Sequence, residues 1–249
     1  MKIIVSPTKQ MKVSEHKGEQ LPYYADVSKE ILAALQALSV EELCKLMHIK
    51  ESIALENQQR YQDIDFSIHA SAAIYTYQGL QFKHMQIDEL SLEDMEYVKE
   101  HLRILSAFYG IVRPMDSIQP YRLEMQSRLA IQDAKDVYGF WKDRLAKRLL
   151  EEDEEKWIIN LASKEYAKAV LPYLDKEKVT TITFYVDKDG KLKTESTQVK
   201  MARGRFVQWM AKNKVSSIQE LKMFQEDGYQ LHQDLSTDEE LVFVKKKER

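Results

Sequence analysis

Two short apolar runs constrain this chain more than anything else in it: Ile3-Ile4-Val5 near the start and Trp157-Ile158-Ile159-Asn160-Leu161 far downstream. The second is nearly continuous in hydrophobicity rather than alternating, which marks a strand covered on both faces and therefore central in its sheet. Both runs pass straight into polar residues, Ser6-Pro7-Thr8-Lys9 in one case and Ala162-Ser163 in the other. With 249 residues the chain can fill one large core. Only seven Gly and five Pro leave no room for long linkers. The expectation is a mixed α/β (α+β) fold, one compact domain over residues 1–249, with a central mixed sheet flanked by helices.

Apolar spacing predicts helices over 24–38, from Ser39 through Met47 with a Ser39/Glu42 capping box, and from Lys50 to about Tyr61. A long helix is expected from Ser91 to Gly110, then others over 137–150, 198–213 and 217–224. Further strands are expected at 72–77, 180–186, 191–196 and 241–244, the middle pair joined around Asp187-Lys188-Asp189-Gly190. The acidic run 151–155 reads as a solvated turn.

Composition narrows the function. The net charge of −3 gives no global pull toward nucleic acid, so any polyanion site must be a local patch. Cys44 is the only cysteine, which excludes an internal disulfide and a thiolate-rich metal site. His16, His48, His69, His84, His101 and His232 are scattered without ligand spacing, so neither a metal nor a cofactor is expected. No apolar run reaches membrane-spanning length and no signal segment is legible, so the expected location is the cytoplasm, with no membrane partner.

Four places carry candidate chemistry. The ends of the two buried strands offer Lys9, Asn160, Ser163 and Tyr166, where open α/β sheets place ligands; the plain alternative makes Asn160 a turn residue and Ser163 a cap. The proline-stiffened stretch 113–125 holds Arg113, Asp116, Tyr121 and Arg122, either for a ligand or as an internal ion-pair network. Lys200 and Arg203 share a helix face in a segment with no acidic residue between Glu195 and Glu220. Gly204, inside that helix, points to close packing or a close backbone approach. Finally, 43–54 is similar to a helix-hairpin-helix, with His48 and Lys50 where glycines are usual; on pattern alone a plain helical hairpin fits it better.

These segments together resemble the YaaA peroxide-stress protein family. The shared blocks include Val5-Ser6-Pro7-Thr8-Lys9, Gln119-Pro120-Tyr121-Arg122-Leu123-Glu124-Met125, Asn160-Leu161-Ala162-Ser163-Lys164-Glu165-Tyr166 and Lys200 with Ala202-Arg203-Gly204. Thr8-Lys9-Gln10 stands for the more usual Ala-Lys-Thr and keeps the lysine. The resemblance implies a cytoplasmic protein of the hydrogen peroxide response, linked to limiting free-iron-driven damage, that binds duplex DNA through a basic cleft and the hairpin. Lys9, Arg122, Lys200 and Arg203 would then contact phosphate in the cleft, and Lys50 at the hairpin. The alternative is an enzyme acting on a small anionic or nucleotide-like substrate, with Lys9, Asn160, Ser163 and Tyr166 as its catalytic candidates.

Overall fold

The computed structural model describes residues 1–153 and 157–246. In chain order the strands are β1 (Lys2–Val5), β2 (Gln10–Met11), β3 (Ser71–Ala72), β4 (Tyr77–Gln78), β5 (Leu102–Ser106), β6 (Gly110–Val112), β7 (Ser117–Ile118), β8 (Ile158–Asn160), β9 (Val179–Lys188), β10 (Lys191–Lys193), β11 (Tyr229–Leu231) and β12 (Glu240–Lys246). The helices are α1 (Ala25–Gln36), α2 (Val40–Met47), α3 (Glu51–Asp63), α4 (Ala73–Thr76), α5 (Leu80–Met85), α6 (Leu92–His101), α7 (Val137–Trp141), α8 (Arg144–Glu151), α9 (Lys164–Ala167), α10 (Ser196–Asn213) and α11 (Ile218–Leu221).

Among the described residues the main sheet has the order β11-β12-β9-β8-β1-β5-β6, with β10 folded back on β9. β1 runs parallel to β5 on one side and to β8 on the other, and β8, β9 and β12 continue in parallel. Only β6, β10 and β11 pair antiparallel in this sheet. The chain therefore winds away from β1 toward β5, then returns to the opposite side of β1 to lay down β8. A reversal of this kind opens a crevice at the carboxyl ends of the two strands where it occurs. Here those ends lead into Ser6-Pro7 and Leu161-Ala162-Ser163.

β1 and β8 are central and buried throughout, as their apolar runs required. Residues 102–106, expected in the helix, form β5 instead, for a physical reason. Met95, Val98, Leu102 and Leu105 keep a helical beat across 91–110, and Arg103 looks like a solvent-facing residue. In the fold α6 ends at His101, and Leu102 pairs with Ile3 in the sheet. Arg103 is buried, its charge met by Glu152 at 2.5 Å. Glu152 and Asp153 are accordingly not part of a solvated turn; Asp153 meets the chain's N-terminal ammonium at 2.5 Å. Of the rest of that run, Glu151 is exposed at the end of α8, and Glu154 and Glu155 lie outside the described residues. The expected strand at 72–77 is mostly the short α4, and the expected helix at 137–150 breaks at Lys142, whose φ is 47°.

The Ser39/Glu42 capping box forms as read. α2 ends on His48 in the left-handed conformation, φ 51°, and the N–H groups of His48 and Ile49 both donate to the Cys44 carbonyl. These bonds use the backbone donors that a glycine-containing hairpin would present to phosphate. Leu43 and Ala54 are fully buried, whereas Ile49 is only half-buried against the core. Gly204 earns its place by contact: a Cβ there would lie 2.1 Å from the Gln81 carbonyl oxygen, so α10 and α5 meet backbone to backbone. Gln81 in turn donates from Nε2 to the Ser6 carbonyl at 3.3 Å, tying this helix pair to the end of β1. No helix among the described residues is long and apolar enough to cross a membrane.

Candidate functional site

The seam between β1 and β8 continues past the sheet. Ile4 stands opposite Asn160, and the Leu161 N–H donates to the Ile4 carbonyl at 2.9 Å. Ser6 then closes the crevice: its Oγ accepts the Ser163 N–H at 2.8 Å and donates to Ser163 Oγ at 3.1 Å. Ser163 occupies the cap position of α9 but makes no side-chain cap bond. Its hydroxyl belongs to the seam instead, which corrects the cap reading.

Two cavities flank this seam. A polar one of about 560 Å³ is walled by Lys9, Gln81, Tyr121, Arg122, Glu124, Glu165, Tyr166 and Lys200, together with Ser6 and Ser163. A second of about 690 Å³ lies over β9, walled by Thr181, Thr183, Tyr185, Val199, Leu171 and Pro172, with Lys164, Lys168 and Lys176. Arg203 belongs to both walls. The partition is the segment after β8, which sends Ser163, Glu165 and Tyr166 to one side and Ala162, Lys164 and Lys168 to the other.

Lys9, Tyr121, Arg122, Ser163, Tyr166, Lys200 and Arg203, far apart in sequence, therefore converge on one cavity. Asn160 does not join them there; it lines the adjoining cavity. Its Oδ1 accepts the Ala162 N–H at 3.0 Å and its Nδ2 donates to Thr181 Oγ1 at 3.3 Å, so it fixes the turn that leaves β8. Arg113 and Asp116 line neither cavity, which overturns their assignment to the cleft. Asp116 is fully buried and accepts from the backbone N–H and Nε of Arg113 at 2.8 and 2.9 Å, while Arg113 also donates to the Leu21 carbonyl. Burial pushes the Asp116 carboxyl up to about 6 despite the arginine beside it. Here the ion-pair network is the right reading, and it pins the loop. His48 and Lys50 are exposed and line neither cavity.

Within the polar cavity the charges are unequally answered. Glu124 Oε1 receives both Lys9 Nζ and Arg122 Nη2 at 3.0 Å, so two of the expected phosphate contacts already have a carboxylate. Tyr121 is buried with its hydroxyl held between Ser106 and Tyr77, and burial raises it to about 12. Tyr166 is pushed well above 10 by burial and by nearby tyrosine and carboxylate charge. Burial, then the Glu124 charge, raises the Glu165 carboxyl from its ordinary value.

Arg203 differs from all of these. It is partly buried, its Nε wholly so, and it has no ion pair or hydrogen bond among the described residues. Desolvation alone pulls its guanidinium down to about 10. Lys200, one helical turn away, is exposed and also without a carboxylate among the described residues. Taken together the two walls carry seven basic side chains against four carboxylates, in a chain whose net charge is −3. The local patch required for any polyanion site is present.

Several wall residues were not legible beforehand. Thr183 and Tyr185 read as the solvent face of an alternating strand. Gln81 is placed by the Gly204 contact, which no local pattern reveals. Lys164 and Lys168, at helical spacing just after Ser163, were the signal most open to being found.

A family model described as "Peroxide stress protein YaaA" matches residues 1–235 of this chain. A UPF0246 protein of Agathobacter rectalis is 41% identical over 249 residues, covering 99% of both chains. One from Clostridioides difficile is 38% identical, covering 98% of this chain and all of its own. Another, from Lactiplantibacillus plantarum, is 40% identical over 98% of this chain and 99% of its own.

Proposed function

We propose, from the premise that this chain belongs to the peroxide stress protein YaaA family, that it serves the peroxide stress response by binding DNA phosphate in the twin cleft. The observation that carries this reading is Arg203, a partly buried cation without a countercharge among the described residues, set between two cavities rich in basic side chains. A partly desolvated guanidinium left unpaired carries a desolvation cost, and a bound anion offsets that cost. Arginine suits phosphate in particular because its planar fork donates two parallel hydrogen bonds. Lys200 and the lysines after Ser163 extend the positive surface along which a backbone runs.

On this reading the protein acts where iron and peroxide do their damage, at the DNA, and does not itself reduce peroxide. Its sole thiol, Cys44, sits on α2 and lines neither cavity. At the hairpin the His48 and Ile49 N–H groups are occupied, so a contact there rests on the Lys50 side chain and on the first N–H groups of α3.

DNA affinity is expected to fall with salt, each neutralised phosphate adding about −0.9 to the log–log slope. The double change Lys200→Ala, Arg203→Ala should flatten that slope by roughly two contacts. An unchanged slope in a folded variant would remove DNA from this cleft.

One observation favours a second reading, turnover of a small anionic or nucleotide-like substrate. Glu165, whose carboxyl is raised by burial and then by the Glu124 charge, shares the polar cavity with Ser163 and Lys9, where it can pass a proton to or from a bound ligand. Tyr166 is too deeply buried, and Asn160 too committed to its turn, for catalytic roles. Release of product from a mononucleotide, lost in Glu165→Gln, would establish this reading.

A further inference from the structure

The two cavities differ in chemistry and meet at one side chain. The polar cavity offers cations, carboxylates and hydroxyls. Its neighbour adds apolar walls from Val199, Leu171 and Pro172 to its lysines and to Glu239 and Glu240, with Thr183 and Tyr185 half-buried on the open face of β9. At about 690 Å³ it lies within the range of small-molecule sites, roughly 300–1,000 Å³. A phosphate on Arg203 has no use for such a space. A stacked base pair, for its part, is too wide and too rigidly held to put one base into it.

The ligand that uses both sides of Arg203 carries an anion joined to a flat, mostly apolar body with hydrogen-bonding edges. That is a nucleotide. Tyr185 supplies an aromatic side chain of the kind on which bases stack; on the same face of β9, Thr181 Oγ1 accepts from Asn160 Nδ2 at 3.3 Å and Thr183 Oγ1 donates to Glu240 at 2.7 Å, which leaves Glu240 as an acceptor for a base's edge. Enzymes and binding proteins that read a single base in a strand take it out of the stack into a pocket of this kind, with unstacking easiest at unpaired or mismatched positions.

We propose that the two cavities form a single-nucleotide site, in which Arg203 holds the phosphate and the cavity over β9 takes the base. The nucleotide arrives either free or turned out of a strand. This deepens the phosphate-binding reading and rests on it.

Calorimetric titration of the full chain with inorganic phosphate, deoxynucleoside 5′-monophosphates, a fully paired duplex and the same duplex with one unpaired nucleotide separates the cases. A mononucleotide is expected to bind at least tenfold more tightly than inorganic phosphate. Tyr185→Ala, a truncation at a half-buried position, and Thr183→Trp, which fills the cavity over β9, should each shrink that ratio toward one. Arg203→Met should abolish nucleotide binding. If the nucleotide comes from a strand, the duplex with the unpaired position binds at least tenfold tighter than the paired one. If it comes free, the two duplexes bind alike while the mononucleotide keeps its advantage. Equal affinities for phosphate and mononucleotide, with no preference between duplexes, would overturn the inference and leave phosphate binding standing. Failure of phosphate, nucleotide and duplex alike would remove both readings.

Discussion

Arg113 and Arg203 are the same side chain in opposite circumstances. Arg113 lies in a proline-stiffened loop with Asp116 three residues on, and the pair is closed by two hydrogen bonds at the core's edge. Arg203 lies on a helix with Lys200 one turn away, is partly buried, and meets no carboxylate among the described residues. The first arginine is consumed in holding the fold, and the second is held by the fold for something else. What separates a structural cation from a binding one is its countercharge, not its residue type or its prominence in the sequence. Arg122 sits between the two cases, paired to Glu124 yet facing the cleft.

That comparison can be broken. Arg113→Ala strands a buried carboxylate and should cost about 3 kcal/mol in denaturant titration, somewhat below the usual loss for a severed buried pair because Asp116 can take up a proton. A loss under 1 kcal/mol would mean that the pair is ornamental and the contrast with Arg203 is empty.

The pH dependence sharpens the same point. Asp116 has a folded value of about 6 against 3.8 for a free side chain. A raised value means that the folded state binds its proton more readily than the unfolded state. The associated stability is present below about pH 4 and is lost as pH rises through 6. At about 1.4 kcal/mol per unit the loss is roughly 2–3 kcal/mol. Asp116→Asn should flatten the stability profile across this window, and an unaltered profile would show that another group is responsible.

Gly204→Ala tests the contact that frames the cleft from the other side. The added methyl overlaps the Gln81 carbonyl, so α10 and α5 must part. Overpacking costs typically 1–3 kcal/mol, set against a helix-propensity gain of about 1. A net loss of about 1 kcal/mol is expected, with weakened anion binding because Gln81 anchors Ser6. A more stable variant with full binding would refute the close approach. The smallest effect is expected at the hairpin. Lys50 is exposed with no ion pair among the described residues, so Lys50→Ala should leave stability within about 0.5 kcal/mol and reduce the DNA salt slope by no more than one contact.

The parts of this fold that could be read from sequence are those set by local rules. The apolar runs gave β1 and β8, and the capping boxes at Ser39 and Ser91 gave the starts of α2 and α6. β5 escaped because its evidence is non-local: its partner is a strand about a hundred residues away, and the countercharge that lets Arg103 be buried comes from Glu152. The same holds for the site. Strand ends marked Lys9 and Ser163 as polar groups at a crevice, and the missing acidic residues marked the helix bearing Lys200 and Arg203. Nothing in the sequence could tell which arginine would find a partner. Asp116 looked like a cleft residue because its neighbours were, and only its complete burial removes it.

The central claim is that Arg203 is kept unpaired for an anion, and thermal unfolding of wild type and Arg203→Met with and without phosphate tests it most directly. Removing an uncompensated cation of this kind should stabilise the empty protein by about 1–2 kcal/mol, or roughly 2–8 °C for a chain of this size. Phosphate should raise the midpoint of wild type by mass action and leave the variant unmoved. A variant that melts lower than wild type, with both proteins stabilised equally by phosphate, would contradict the claim and return Arg203 to the structural arginines.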